Sequence, residues 1–525
     1  MNIRIVGFLA TALALLIGVT WHQVDLYAFG CDAFGYARQA ELFRTEGLPR
    51  GLDTRIDAPE ARFLIAAAQS ITSDSAEWSE AVAPHCHHYN SATRRIILEY
   101  PPGTGLILSI FPETVSFGLA FLLGMALVSA VFAAAVVTYR PNNWGLAGAF
   151  ATLALIEVTT TNALASASLP VSIALIPLCA LLTLAAFPSA GQSPKPGLAL
   201  LLGVAGGLLL AVRLANIFLL VGLACAIVIN QRLWRTKQIM LSRGALAAAI
   251  VAFTIPGLAL VLAANWVNAG SPFSTTYAPV DASAPVLAPR LIGANLRFYF
   301  GNGFAAPMVV ATLVALILRG LLAWRFPTFR HNCGASIGAS VCYFLSLAYF
   351  CTHDVRIPYY MLPASAMTLC LVVFEILAAG NRTGETSIVQ SAWLLAPIFI
   401  FALIRCLFLT ARLHTALLPN EVRDPRSIVW ADLTSGTALY YQGKYAAKIN
   451  FADPCMQDRL ILKVFDLGRS QYFIEDSKFI SKIVQRLSKS FRMIRAGVFD
   501  TGQEIPIWKI EAKSGRTETS CDDLR

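Results

Sequence analysis

Apolar stretches of about twenty residues recur along the chain, and nothing constrains its fold more. A helix needs about that many residues to cross the hydrocarbon of a bilayer. The runs fall at Ile5–Trp21 and at about 115–138, 145–158, 169–187, 198–212, 214–229, 245–266, 304–323, 335–351, 358–378 and 389–411, which gives eleven crossings. Composition agrees: 56% of residues are apolar and 14% charged, against about 45–50% and about 25% in a soluble domain. A soluble globular enzyme, a disordered chain and a coiled coil are all excluded. The expected fold class is an α-helical polytopic membrane protein. Its parts are a transmembrane domain over 1–412, a large first external loop over 22–111 within it, and a small external α/β domain over 413–525.

Two of these spans need argument. Ile5–Trp21 is followed by His22-Gln23-Val24-Asp25 rather than by a small-residue cleavage site, so it is read as an uncleaved first span. The run 198–230 is too long for one ordinary helix, and Arg213 stands in its middle. Two short helices turning near Arg213 satisfy the positive-inside rule. With Arg4 cytoplasmic, Arg140, Lys195, Arg232, Arg235, Lys237, Arg243, Arg319, Arg325, Arg330 and Arg382 then fall in cytoplasmic loops, and only Arg290, Arg297 and Arg356 in short external ones. The net charge of +10 is thereby assigned to topology and lipid headgroups, and no nucleic acid is expected.

The tail from about 413 alternates strand-like runs (Ser427–Ala431, Leu460–Phe465, Gln471–Ile474, Ile505–Ile510) with an amphipathic helix near Asp476–Arg492. Cys179, Cys225, Cys342, Cys370 and Cys406 lie in spans and act as small apolar residues. Cys31 and Cys86 share the first external loop, and Cys455 and Cys521 the tail. An oxidising compartment permits disulfides in both places.

The first loop opens with Gly30-Cys31-Asp32-Ala33-Phe34-Gly35-Tyr36-Ala37, and small or apolar residues recur at a spacing of three to four from Ala33 to Phe43. This predicts a helix with Asp32 at its start and Tyr36 one turn on. Asp32 is an N-cap or a carboxylate that accepts a proton from a hydroxyl. The loop ends Glu99-Tyr100-Pro101-Pro102-Gly103-Thr104, in which paired prolines stop one element and glycine opens the next. Arg213, Arg356 and Arg405 stand near outer span ends, each a candidate phosphate ligand or a structural partner; Asp354 neighbours Arg356. Glu157 is a further intramembrane acid. His85-Cys86-His87-His88 invites a zinc reading, but adjacent residues diverge and no second ligand pair stands at zinc spacing, so an exposed polar loop is expected.

Taken in order, these motifs resemble the GT-C superfamily of membrane glycosyltransferases, within it the protein-mannosyltransferase and aminoarabinose-transferase branch. The resemblance rests on a first span, an external Asp-x-x-x-Tyr helix and the Tyr-Pro-Pro-Gly corner. Further matches are Arg213-Leu-Ala-Asn216, Asn265-Trp-Val-Asn-Ala-Gly-Ser-Pro-Phe-Ser-Thr-Thr-Tyr277, Arg356-Ile-Pro-Tyr-Tyr-Met-Leu-Pro363, Ser435-Gly436 before Tyr440-Tyr441, and Tyr472-Phe-Ile-Glu-Asp476. It implies an inverting transferase using a sugar on a polyprenyl phosphate, with Asp32 as general base. It places Tyr36 one turn beyond the base, and its matched motifs add Asn216 and Tyr277 as candidates at the substrate or donor. Donor-phosphate contacts of relatives do not transfer to Tyr100, which stays a candidate by position, and Arg213, Arg356 and Arg405 are candidates on the physical ground given above. The acceptor would be a glycan, lipid or protein. No cofactor is expected, although some members of the superfamily use a divalent cation. The implied location is a bacterial inner membrane, with the N-terminus cytoplasmic and the tail periplasmic. The chain departs from the pattern at Ala33, where many relatives carry a second acid, at Gly35, where some have Arg, and at Tyr100, where some have Lys. A transporter or lipid flippase, and a non-catalytic scaffold of envelope assembly, are the competing classes. The lack of inverted repeats and the large external segments weigh against a carrier.

Overall fold

The computed structural model describes residues 31–112, 116–139, 143–161, 168–188, 194–233, 239–277, 288–301, 306–325, 333–353, 356–379, 419–431, 439, 444–448, 454–475, 477–500 and 504–512. In chain order the main helices are α1 (Cys31–Gly51), α2 (Pro59–Gln69), α3 (Gly103–Leu108), α4 (Ser116–Tyr139), α5 (Asn143–Thr161), α6 (Ser168–Ala186), α7 (Pro196–Val212), α8 (Ile217–Leu233), α9 (Ile239–Phe253), α10 (Leu260–Ala269), α11 (Ile292–Gly301), α12 (Ala306–Arg325), α13 (Gly334–Thr352), α14 (Leu362–Ala379), α15 (Pro454–Asp466) and α16 (Lys478–Ser490). The chain divides into two compact units, one holding 101–261 and 285–410, the other 27–100, 262–284 and 411–525.

The first unit is helical. Among the described residues, five helices are long and apolar enough to cross a membrane: Phe117–Tyr139, Arg243–Ala269, Ala306–Arg325, Gly334–Thr352 and Pro358–Ala378. Four shorter apolar helices cover Gly145–Thr160, Val171–Ala186, Pro196–Val212 and Leu214–Asn230. The expected spans at 5–21 and 389–411 lie outside the described residues. Phe132, Ile156, Ile176, Leu209, Met367 and Phe374 pack in the centre of this unit. Ile250, Val251, Ile255 and Trp324 are exposed, the side that lipid would cover. A π-turn at Thr254–Ala259 joins α9 to α10, where Pro256 withholds the amide that a regular helix needs.

The run 198–230 breaks where Arg213 stands. Val212 ends α7, Arg213 is extended (φ −157°, ψ 123°), and a 3₁₀ turn at Leu214–Asn216 leads into α8. Asn216 Nδ2 donates to the carbonyl oxygen of Leu209 (2.8 Å) and to Ser172 Oγ (3.3 Å). It thus satisfies one of the acceptors that a helix end leaves open. Arg319, expected in a cytoplasmic loop, is instead buried inside α12. Its Nε donates to Glu375 Oε2 of α14 at 3.1 Å, and the Ser336 hydroxyl of α13 donates to the same carboxylate. Glu157, the further intramembrane acid, accepts from Ser129 Oγ at 2.5 Å.

In the second unit the first loop and the tail share one core. Leu64 of α2, Trp78, Val82, Tyr89 and Ile96 pack with Ile428, Trp430, Leu460, Phe473 and Leu487. Fully burying an aromatic or branched aliphatic side chain contributes about 1.5–3 kcal/mol, so this shared cluster is a main source of the unit's stability. A five-stranded sheet of the tail has the order β4-β3-β5-β7-β6: β3 (Ile428–Ala431), β4 (Ala446–Lys448), β5 (Gln471–Ile474), β6 (Phe491–Asp500) and β7 (Glu504–Ala512). The first three are parallel; β6 and β7 form an antiparallel pair joined to β5. In the first loop, β1 (His87–Asn90) pairs antiparallel with β2 (Arg95–Leu98). Lys444 Nζ, buried, lies 3.5 Å from Glu60 Oε1 and donates to the carbonyl oxygens of Asp424 and Ser427. Lys448 pairs with Glu80 at 3.2 Å.

Leu460–Phe465, expected as a strand, is helical within α15. Met456, Leu460, Ile461 and Val464 are its buried apolar residues, and their spacing of four, one and three makes a helical stripe. The six-residue run taken alone is too short to show that period. The helix expected near Asp476–Arg492 is α16, capped by Ser477, whose Oγ accepts from the amide of Ile480 (3.2 Å).

Candidate functional site

Asp32 lies in the first turn of α1, where the free amide dipoles favour an acidic side chain. β2 delivers Tyr100 to it: the phenol donates to Asp32 Oδ1 at 2.5 Å. The Tyr100 ring stacks on Tyr36, one turn along α1, with centroids 4.7 Å apart and planes inclined by 25°. Three residues singled out in the sequence thus meet within one unit. Gly35 explains how. A Cβ there would stand 2.5 Å from Leu98 Cδ1 and 3.1 Å from the Tyr100 ring, so the two departures from the family pattern, Gly35 and Tyr100, fit each other. The Tyr100 hydroxyl also lies 2.7 Å from Cys86 Sγ. Burial, followed by the charge of Asp32, holds the phenol well above its usual pKa.

Cys86 is disulfide-bonded. The side chain of Cys31 lies outside the described residues, as do those of Cys455 and Cys521. The His85–His88 segment is not an exposed loop. All three histidines are buried, and His87 and His88 belong to β1. The His87 ring is fixed at both nitrogens, Nδ1 to the carbonyl oxygen of His85 (2.8 Å) and Nε2 to the guanidinium of Arg38 (3.3 Å). Nδ1–H therefore donates and Nε2 accepts, the neutral tautomer. Among the described residues, no group of three His, Cys, Asp or Glu side chains could hold a metal ion.

Arg38 went unnoticed in the sequence. It reaches from α1 to the carbonyl oxygens of Thr54 (2.6 Å) and Arg55 (3.2 Å) as well as to His87. Burial lowers its pKa to about 10, opposed by the charges of Glu41 and Asp53, and it remains a cation at neutral pH. Asn268 binds the same turn: Oδ1 accepts from the amide (2.8 Å) and hydroxyl (3.0 Å) of Thr54, and Nδ2 donates to the carbonyl oxygen of Leu52 (2.8 Å). The segment leading to Tyr277 is anchored beside the acid as well, since Thr276 Oγ1 donates to the carbonyl oxygen of Glu99 (3.0 Å).

The buried histidines give a pH dependence. Burial drives His87 well below its ordinary pKa, and His88 down to about 4. Each binds a proton more readily when the chain unfolds. The stability linked to these rings is therefore fully present above about pH 6.5 and falls as pH drops through the interval toward 4. Each ring costs about 1.4 kcal/mol per pH unit in that window. Thermal unfolding followed between pH 7 and 4.5 should lose stability steeply, and His88→Phe should flatten the slope by close to one proton.

In the first unit, the Arg213 junction forms its own small pocket, lined in part by Asn216, Ser346, Phe350 and Tyr360. The Arg213 guanidinium lies over Tyr360 (4.4 Å to the ring centroid) and Tyr359 (5.8 Å). These rings belong to the Arg356–Pro363 motif, so two motifs distant in sequence come together. Arg356 is exposed, and its Nε donates to Asn295 Oδ1 at 2.8 Å. Asn295 Nδ2 in turn binds the carbonyl oxygens of Phe350, Cys351 and His353 at the end of α13. The Pro101-Pro102-Gly103 corner sits against the same junction. A Cβ on Gly103 would fall 2.4 Å from the carbonyl carbon of Ala211, so only glycine permits this approach. Asp354, Arg405, Ser435, Gly436, Tyr440, Tyr441 and Asp476 lie outside the described residues.

No family model matches the chain, and no curated protein matches it. Among solved structures it is similar to ArnT from Cupriavidus metallidurans in the apo state, at 13% identity and a TM-score of 0.48 over 96% of this chain and 97% of that one. It is similar also to ArnT from the same organism bound to undecaprenyl phosphate, at 14% identity, the same TM-score and the same coverage.

Proposed function

We propose that this protein is an integral-membrane glycosyltransferase that moves a sugar from a polyprenyl phosphate to an acceptor hydroxyl on the extracytoplasmic face, with inversion. The observation that carries the reading is the meeting of Asp32, Tyr36 and Tyr100 at the start of α1. The Asp32–Tyr36 motif and the Tyr100 corner lie far apart in the chain, and the fold brings them together. In the step, the acceptor oxygen attacks the anomeric carbon and its proton passes to the Asp32 carboxylate. The bond from that carbon to the phosphate oxygen breaks, and the lipid phosphate leaves with the electron pair. Asp32 then returns its proton to water. Tyr277 offers a ring face and a hydroxyl to the sugars, and Tyr36, buried against Tyr100, backs the acid from beneath.

Charge grows on the phosphate oxygens as the sugar departs, and a preorganised cation stabilises it. Arg213, held over Tyr360 beside Asn216, serves that role, with Arg356 and Arg405 as further cations. The bias of Lys and Arg to one side of the spans supports an N-terminus in the cytoplasm and a periplasmic tail in a bacterial inner membrane. The test is transfer of label from a radiolabelled polyprenyl-phosphate sugar by the purified chain in proteoliposomes, with the anomeric configuration of the product read by NMR. Loss of donor and gain of glycosylated acceptor are expected. Movement of intact donor between leaflets without transfer would establish a flippase instead.

Arg213→Met should lower kcat/KM for the donor by about 10²–10³-fold, the usual cost of removing one preorganised charge from an oxyanion. If Arg213 serves only to pack against Tyr360, the variant unfolds at lower temperature and the folded fraction keeps its rate.

A further inference from the structure

Tyr100 stands where a residue able to touch the donor phosphate would be sought, yet its surroundings give it another task. The ring is clamped by Tyr36 on one face and abuts Gly35 and Leu98. Its hydroxyl sits between Asp32 Oδ1 (2.5 Å) and Cys86 Sγ (2.7 Å). A disulfide sulfur has no proton to give, so the only proton in this triangle is the phenol's own, and the ionised carboxylate is its stronger acceptor. We propose that Tyr100 is a positioning residue for the general base: its phenol grips Oδ1 of Asp32 and aims the carboxylate at the acceptor. The inference rests on the transferase reading above and moves Tyr100 from the donor to the base.

The chemistry follows from the hydrogen bond. A hydrogen bond to a carboxylate is short and directional, so the phenol fixes which way the oxygens of Asp32 point. No covalent bond to Tyr100 is made or broken; its proton stays on the phenol, whose pKa burial and Asp32 hold high. Among the described residues, groups from several elements stand around the pair. Tyr36 stands on α1, Cys86 precedes β1, and Glu99 neighbours Tyr100 with its carbonyl held by Thr276. His88, neutral through burial, is 3.9 Å from Glu99, and Arg38 is turned onto Thr54, Arg55 and His87. Among these, Tyr100 is the group whose hydrogen bond to Asp32 can be removed by deleting one oxygen.

The experiment reads the Asp32 carboxylate directly. Infrared difference spectra of the full chain in proteoliposomes are recorded at one pH for the wild type and Y100F, and the Asp32 carboxylate stretching bands are identified by their loss in D32N. Y100F keeps the ring and its stacking on Tyr36, and thermal unfolding confirms that it folds. The Asp32 bands should shift in Y100F as the hydrogen bond is lost, and kcat should fall by about 10–100-fold, the value of a hydrogen bond to a charged group, while KM for the donor stays within about twofold. Unshifted bands, or an unchanged kcat with a raised donor KM, overturn the proposal. The infrared measurement needs no turnover. Shifted bands in a protein that transfers no sugar leave the Asp32–Tyr100 pair standing and remove the transferase reading alone.

Discussion

Asp32→Asn should lower the rate of sugar transfer by about 10²–10⁴-fold, the range that a positioned general base contributes. The amide is nearly isosteric and its Oδ1 still accepts from Tyr100, so α1, the stacked Tyr36–Tyr100 pair and membrane insertion should persist. The measurement is kcat in proteoliposomes, with donor KM followed in parallel. A fall in kcat with KM unchanged marks a group acting in the transition state, whereas a rise in KM alone would mark a binding residue. Equal activity in the two purified proteins removes Asp32 from the mechanism.

Arg319→Ala should cost about 3–5 kcal/mol of stability, because it deprives the buried Glu375 carboxylate of its guanidinium. Both side chains are nearly inaccessible, at 2% and 5%. The pair joins α12 to α14, and Ser336 adds α13 to the same carboxylate. Replacing both together, Arg319→Met with Glu375→Leu, should recover most of the loss, since an apolar pair needs no solvation. Unfolding in detergent followed by circular dichroism reads both variants. A double variant as unstable as the single one would show that packing, not the unmatched charge, sets the cost.

The motifs themselves were legible in the sequence, because each is a local signal. The helix with Asp32 at its start and Tyr36 one turn on appears in the spacing from Ala33 to Phe43, and the break at Arg213 in a run too long for one helix. The histidines beside Cys86 were misread as exposed, because β1 and β2 bury them only after pairing. Leu460–Phe465 was misread as a strand, because its helical stripe begins four residues earlier, at Met456. Arg38 gave no signal, since its partners lie 16, 17 and 49 positions away.

The sequence by itself determined that the chain belongs to a bilayer and where the apolar helices among its described residues run. Hydrophobic length and charge bias act over tens of contiguous residues, and water and lipid sort them without regard to the rest of the chain. Only the tertiary structure decided that Tyr100 takes hold of Asp32, 68 residues before it, that Gly35 makes room for that ring, and that Arg319 faces Glu375. Each is a contact of a few ångströms between segments whose separation in sequence carries no distance. Only packing fixes which side chains meet.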